Sequence, residues 1–272
     1  VKQLLPIYDK PMIYYPLSVL LLAGIRDILI ISTQKDLPRY IELLGDGSSL
    51  GVNFSYAIQK APNGLPEAFI IGEKFIRDEN VLMILGDNLF FGEKLQSTLK
   101  DVAQQQNGAM LFAYRVHDPE RYGVAEFDSN DNVISLEEKP SQPKSRYAVT
   151  GLYYFDKNVA EYSKTLRPSG RNELEILDLA RIYLSQNKLK VTKLGNGFAW
   201  LDTGTHDALY DASTFVKVIQ SRQGTYVSCI EEIAYKRGFI DKEQLLALAE
   251  PIKNSQYGKY LLRIASEEIN VF

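Results

Sequence analysis

The spacing of apolar and polar positions divides the chain into alternating helical and extended stretches. Apolar positions run almost unbroken from 12 to 23 and stop at Gly24, which predicts a helix over 11–23 with Pro11 in its first turn. Residues 26–32, centred on Ile28-Leu29-Ile30-Ile31, predict a buried strand. A helix over 36–44 ending at Gly45, an alternating strand over 53–59 and a helix over 65–75 follow, with Pro66 tolerated in the first turn of the last. The apolar run 81–85, closed by Gly86, predicts a buried parallel strand. A helix over 94–106 and a strand over 109–114 complete the first half. This repetition predicts an open, mostly parallel α/β sheet of Rossmann-like type, and right-handed crossovers put helices on both faces.

The pattern then changes. Residues 123–127, 133–138 and 148–155 read as strands with little helix between them, as antiparallel additions at the sheet edge. A helix over 173–186, a strand over 189–194 and a long helix over 206–222 follow. From about 231 the pattern is helical to the end, with breaks at Gly238 and Pro251. The expectation is one α/β domain over 1–222 and a helical appendage over 223–272.

Composition narrows the function classes. A net charge of −3 lacks the basic surplus of a general nucleic-acid binder. One cysteine, Cys229, allows no internal disulfide and fits a reducing compartment, so a cytoplasmic location is expected. It also excludes a zinc site built on cysteine spacing, and His117 and His206 lie far apart. The apolar run 17–23 is too short to span a bilayer, so no membrane association is expected.

Candidate chemistry gathers where apolar runs end. Asp87 follows Leu82-Met83-Ile84-Leu85-Gly86, and ligands of open α/β sheets sit beyond the carboxyl ends of strands. Such a carboxylate could hold Mg²⁺, or Gly86-Asp87-Asn88 could be a plain turn. Asp202 has the same setting after Phe198-Ala199-Trp200-Leu201; it could share an ion with Asp87 or cap the helix near His206. Glu137-Glu138-Lys139-Pro140 ends a strand, and Lys139 beside a carboxylate suits a phosphate with a sugar hydroxyl, or is a solvated charge run. Lys2 and Arg171 are further candidates for anions, Arg171 because it precedes a helix N-terminus.

Ordered blocks spread over nearly the whole chain resemble the short bacterial glucose-1-phosphate thymidylyltransferases. They are Lys2-Gln3-Leu4-Leu5-Pro6, Tyr8-Asp9-Lys10-Pro11-Met12-Ile13-Tyr14-Tyr15-Pro16-Leu17 and Leu85-Gly86-Asp87-Asn88. Next come Asp118-Pro119-Glu120-Arg121-Tyr122-Gly123-Val124, Ser135-Leu136-Glu137-Glu138-Lys139-Pro140 and Ala148-Val149-Thr150-Gly151-Leu152-Tyr153. Ala199-Trp200-Leu201-Asp202-Thr203-Gly204-Thr205-His206 and Tyr257-Gly258-Lys259-Tyr260-Leu261-Leu262 complete the set.

The resemblance implies a nucleotide-diphospho-sugar transferase-like fold and Mg²⁺-dependent formation of dTDP-glucose and pyrophosphate from dTTP and glucose 1-phosphate. It implies catalytic roles for Lys2, Asp87, Lys139, Arg171 and Asp202, with Asp87 and Asp202 on the metal. The nucleotide would meet Lys2, Gln3, Gln59, Gly64, Leu65 and Asp87. The sugar phosphate would meet Asn88, Tyr122, Gly123, Glu138, Lys139, Val149, Gly151, Arg171 and Trp200. It further implies a homotetramer, a second site for a dTDP-sugar feedback ligand, and service to deoxysugar pathways such as that of dTDP-rhamnose. Alternative readings are a relative using UTP or CTP, or an inactive regulatory homologue.

Three departures bear on these expectations. The family opens with a strand and a Gly-Gly-x-Gly-Thr-Arg loop that has no counterpart here, so further residues are expected before Val1. Lys60-Ala61-Pro62-Asn63-Gly64-Leu65-Pro66-Glu67-Ala68 differs from the family's Pro-Ser-Pro-Asp-Gly-Leu-Ala-Gln-Ala, which leaves base selectivity open. Asn172 stands where a glycine commonly follows the site arginine.

Overall fold

The computed structural model describes residues 1–103 and 105–267. It opens on a short hairpin, β1 (Pro6–Ile7) and β2 (Lys10–Pro11). Pro11 therefore lies in a strand, and helix α1 (Tyr14–Leu22) starts only beyond it. Residues 15–21 of α1 are all buried, as an apolar circumference with no polar face demands. Strand β3 (Asp27–Ser32) pairs in parallel with β4 (Asn53–Ile58), joined through α2 (Leu37–Leu44). Gly45 ends α2 at a φ of 61°. The helix expected over 65–75 is two short ones, α3 (Glu67–Ile71) and α4 (Glu73–Ile76), that meet at Gly72.

Strand β5 (Val81–Ile84) was expected to pair in parallel, but its pairing is antiparallel, with β10 (Tyr147–Phe155). Between the two lie β6 (Asn88–Gly92), α5 (Leu95–Ala103), β7 (Ala109–Arg115), β8 (Gly123–Phe127) and β9 (Val133–Glu138). The helix expected over 94–106 is seen over Leu95–Ala103; residue 104 lies outside the described residues. After β10 come α6 (Val159–Thr165), α7 (Ile176–Ser185), β11 (Leu189–Leu194) and β12 (Phe198–Asp202). The main sheet runs β11-β7-β10-β8-β9, with β5 also on β10. β8 and β9 are the antiparallel addition at the sheet edge that the sequence predicts, with β9 outermost. β10 instead stands at the centre, because all its residues after Tyr147 are buried and need cover on both faces. The main sheet is thus mixed: β7–β11 is parallel and the pairs around β10 are antiparallel, while β3–β4 is a separate parallel pair.

β6 and β12 form an antiparallel ribbon. Long helix α8 (His206–Gln223) leaves it, and Thr205 caps that helix: Ala208 N donates to Thr205 Oγ1 at 3.1 Å. The capping role considered for Asp202 therefore falls to Thr205, which sits next to the helix start. The remaining helices are α9 (Ile230–Lys236), α10 (Lys242–Ala249) and α11 (Gln256–Ser266). The helical pattern expected beyond 267 lies outside the described residues. These helices are built into the core. Ile230, Ala234 and Leu261 share one buried cluster with Leu17, Leu21, Ile30 and Phe54 of α1, β3 and β4. Among the described residues, no helix is long and apolar enough to cross a membrane.

Candidate active site

The β6–β12 ribbon decides where the two aspartates go. Its register pairs Asp202 with Asn88, the residue after Asp87. Thr203 fastens the crossing: its backbone N–H (3.1 Å) and its hydroxyl (2.8 Å) both donate to the Asp87 carbonyl. Two carboxylates 115 residues apart in sequence are thereby held at neighbouring ends of one ribbon. Both line a cavity of about 370 Å³. Lys2 Nζ donates to Asp87 Oδ2 at 2.7 Å, so a cation already faces one carboxylate.

Asn88 links this pair to the cavity wall. Its Nδ2 donates to Asp87 Oδ1 at 3.0 Å, and its Oδ1 accepts from Trp200 Nε1 at 2.6 Å and Gly151 N at 3.1 Å. A Cβ on Gly151 would stand 2.5 Å from Asn88 Oδ1, so only glycine lets β10 approach so closely. The register of β10 against β7 shifts between Val149 and Tyr153, where Gly151 sits. Trp200 packs its ring 5.2 Å from Tyr122, giving the cavity an aromatic side. Burial, reinforced by Asp202, pushes the Tyr122 hydroxyl up to about 12, so it stays protonated at neutral pH.

The opposite side carries the charges. Glu138 ends β9 beside Gly123 of β8, with which it is paired, and Lys139 follows it. Lys139 has a φ of 43°, a left-handed conformation rare for lysine, and its N–H is fixed to the Tyr122 carbonyl at 3.0 Å. Burial raises the Glu138 carboxyl above its ordinary range against the pull of Arg171. Arg171 Nη2 donates to Glu138 Oε1 at 3.1 Å and to Glu175 Oε2 at 2.6 Å, while its Nε donates to Glu175 Oε1 at 3.1 Å. Asn172, in the glycine position, adopts a φ of 60°, which asparagine tolerates.

A second cavity, of about 540 Å³, opens beside the first and shares Leu65, Leu85 and Asp87 with it. It runs between β3 and β5, and among the described residues these strands pair only with β4 and β10. Gln3 and Gln59 line it. Gln59 Nε2 donates to Glu67 Oε2 at 2.6 Å and to the Gly64 carbonyl at 3.3 Å. Gly64 has a φ of 105° and bridges Leu174, whose carbonyl a Cβ would meet at 2.1 Å.

Of the residues picked out from sequence, Asp87, Asn88, Tyr122, Gly123, Glu138, Lys139, Val149, Gly151, Arg171, Trp200 and Asp202 line the first cavity. Gln3, Gln59, Leu65 and Asp87 line the second, Gly64 contacts it through Gln59, and Lys2 reaches it through Asp87. Sequence reasoning passed over Tyr153, Arg121 and above all Glu175, which also face the first cavity. Arg171 lies in a turn and Glu175 is extended just before α7, so the loop and not helical spacing makes them neighbours, and the sequence offered no signal for the pair.

Among the described residues no group of three or more histidines, cysteines or acidic residues forms a metal cage. Asp87 and Asp202 fit the other arrangement, in which a hard divalent ion takes one or two carboxylates and completes its shell with phosphate oxygens and water.

The family model described as nucleotidyl transferase matches residues 1–218. The glucose-1-phosphate thymidylyltransferase of Neisseria meningitidis is 55% identical over 263 residues, covering 97% of this chain and 91% of the relative. That of Mycobacterium tuberculosis is 51% identical over 263 residues, with 97% and 91% covered. A crystal structure from Bacillus anthracis, described as a glucose-1-phosphate thymidylyltransferase in complex with sucrose, superposes with a TM-score of 0.73 at 37% identity. It covers 79% of this chain and 85% of that one.

Proposed function

The chain belongs to the nucleotidyl transferase family, and from that premise we propose that it joins glucose 1-phosphate to a thymidylyl group from dTTP, releasing pyrophosphate. The observation that carries the reading is the meeting of Asp87 and Asp202 across the β6–β12 ribbon, with Lys2 on Asp87 and Lys139 and Arg171 around the same cavity. The attacking sugar phosphate is already ionised, so no strong general base is needed. The barrier then lies in bringing two polyanions together and aligning them, work suited to fixed cations.

In this reading Asp87 and Asp202 hold Mg²⁺, which when bound neutralises charge on the phosphate oxygens. Lys2 offsets charge on the nucleotide side, and Lys139 and Arg171 receive the phosphate of the sugar. Tyr122, protonated at neutral pH, forms with Trp200, Gly123, Val149 and Gly151 a wall for the hexose, and Glu138 accepts from a sugar hydroxyl. Gln3, Gln59, Gly64 and Leu65 form the base pocket beside the second cavity. We extend the proposal to a homotetramer in the cytoplasm, a second site for a dTDP-sugar feedback ligand and supply of deoxysugar pathways such as that of dTDP-rhamnose. The catalytic domain over 1–222 then shares its core with the helices that follow it, over their described residues.

One observation favours weighing UTP or CTP as the donor: Gln59 is tied to Glu67, which lies in the stretch that departs from the family's usual sequence. A panel of dTTP, UTP and CTP with glucose 1-phosphate decides it. The expected result is a kcat/KM at least about tenfold higher for dTTP, which corresponds to about 1.4 kcal/mol. Equal or greater efficiency with UTP or CTP overturns the thymidylyl assignment.

A further inference from the structure

Arg171 lines the first cavity and already has two carboxylate partners. Glu175 engages it side-on through Nε (3.1 Å) and Nη2 (2.6 Å). Glu138 takes a single bond from Nη2 at 3.1 Å. The two bonds to Glu175 and the one to Glu138 use Nε and Nη2, so Nη1 and its two N–H groups are not needed to hold the fork in place.

The two carboxylates differ in setting. The Glu175 side chain is 9% exposed and that of Glu138 is 23% exposed. Ser169 Oγ donates to Glu175 Oε1 at 2.6 Å and itself accepts from Arg171 N at 3.1 Å, closing a ring around the arginine. Glu175 is the N-cap residue of α7, yet its side chain makes no capping bond. An acidic residue at that position ordinarily serves the helix N-terminus; here it serves the arginine. Burial works against ionisation of Glu175, but the bonds from Arg171 and Ser169 outweigh it and hold the carboxyl below its ordinary range. Glu138, with one bond to the same guanidinium, is shifted the other way by burial.

Backbone hydrogen bonds hold most of the loop's shape. Ser169 N donates to the Glu173 carbonyl (2.8 Å), Asn172 N to the Ser169 carbonyl (2.8 Å) and Leu174 N to the Asn63 carbonyl (2.7 Å). A change of the Glu175 side chain therefore acts first on the guanidinium and reaches the loop only through Ser169 Oγ.

Resting on the transfer reading above, we propose that Glu175 is a positioning residue that holds Arg171 as a sugar-phosphate receptor, while Glu138 is a removable partner that the incoming phosphate displaces. The bidentate, desolvated bond to Glu175 is the stronger of the two, because charge-assisted fork geometry strengthens in a drier setting. A phosphate dianion competing for Nη2 therefore displaces Glu138 first. Glu138 is then free to accept from a hydroxyl of the same sugar, so that occupancy of the phosphate end and of the hydroxyl end are coupled. Anions without the hexose gain only the first half of this exchange.

The test uses the full-length protein with Glu175→Gln, Arg171→Lys and the double variant. Binding of glucose 1-phosphate is read by calorimetry and turnover by steady-state kinetics. Glu175→Gln is expected to raise Kd and KM for glucose 1-phosphate about tenfold, to leave KM for dTTP within about twofold, and to leave Tm nearly unchanged. In the Arg171→Lys background the same change is expected to have little further effect, since the fork it positions is gone. Equal rises in both KM values, or a full additional penalty on top of Arg171→Lys, overturns the positioning role. A wild type that binds glucose 1-phosphate in a Glu175-dependent way but releases no pyrophosphate from any triphosphate keeps the positioning role and overturns the transfer reading. A wild type that binds no sugar phosphate overturns both.

Discussion

At the scale of single residues, the site is built from side chains with no slack. Asn88 has both ends of its amide engaged, and Gly151 leaves no room for a methyl group. Gly151→Ala should therefore push Asn88 off Trp200 and loosen the Asp87 carboxylate. The expected outcome is a loss of kcat of about tenfold or more, with a drop in stability of about 1–3 kcal/mol for the overpacked contact. Steady-state kinetics with a thermal melt checks both, and an unchanged kcat would mean that Asn88 does not position Asp87. Much of this chemistry was legible as residue types at strand ends: Asp87, Asp202, Glu138 and Lys139 follow apolar runs. Glu175 was not legible in the same way, because with Glu173 it falls in the first turn of the helix predicted over 173–186, where acidic residues are ordinary. Only the fold shows it turned toward Arg171.

At the scale of elements, the ribbon of β6 and β12 and the central strand β10 carry the argument. β6 escaped the sequence because Gly86-Asp87-Asn88 satisfies turn chemistry as well as it begins a strand. β10 was legible as a strand but not as a central one, since periodicity reports burial of faces and not which neighbour lies at each edge. The α3–α4 break at Gly72 was also hidden, because a glycine within a helical pattern is usually tolerated. Helix α8 offers an element-scale test. Thr205→Ala removes the one side-chain cap at its N-terminus and should cost about 1 kcal/mol of stability by denaturant unfolding. No change in midpoint would show that water or Asp207 serves that end equally well.

At the scale of the whole molecule, α9 to α11 are bound into the core that supports β3 and β4. Truncation after residue 222 would expose Leu17, Leu21, Ile30 and their neighbours to water. Each fully buried apolar side chain is worth about 1.5–3 kcal/mol, against a total stability of about 5–15 kcal/mol. The truncated chain should therefore lack a cooperative melt, which circular dichroism checks; a native-like transition would contradict the shared core. The same region holds a titrating group. Burial raises the Glu231 carboxyl above its ordinary 4.5, although Tyr257 Oη donates to it at 2.5 Å and Lys10 lies near. The folded state thus keeps this proton longer than the unfolded chain does. Its stabilising effect is complete below about pH 4.5 and is lost as the pH rises through the folded value. Glu231→Gln should melt with a flatter dependence over that window, and an unaltered dependence of Tm on pH would remove Glu231 from the account.

The claim on which the rest depends is that Asp87 and Asp202, far apart in sequence, act together on one transfer. The direct measurement is Mg²⁺-dependent release of pyrophosphate from dTTP and glucose 1-phosphate by the full-length protein, by Asp87→Asn and by Asp202→Asn. Each substitution is expected to lower kcat by a factor on the order of 10²–10³, with far-UV dichroism and Tm retained. Turnover close to wild type in either variant would contradict the assignment of that carboxylate and, with it, the site.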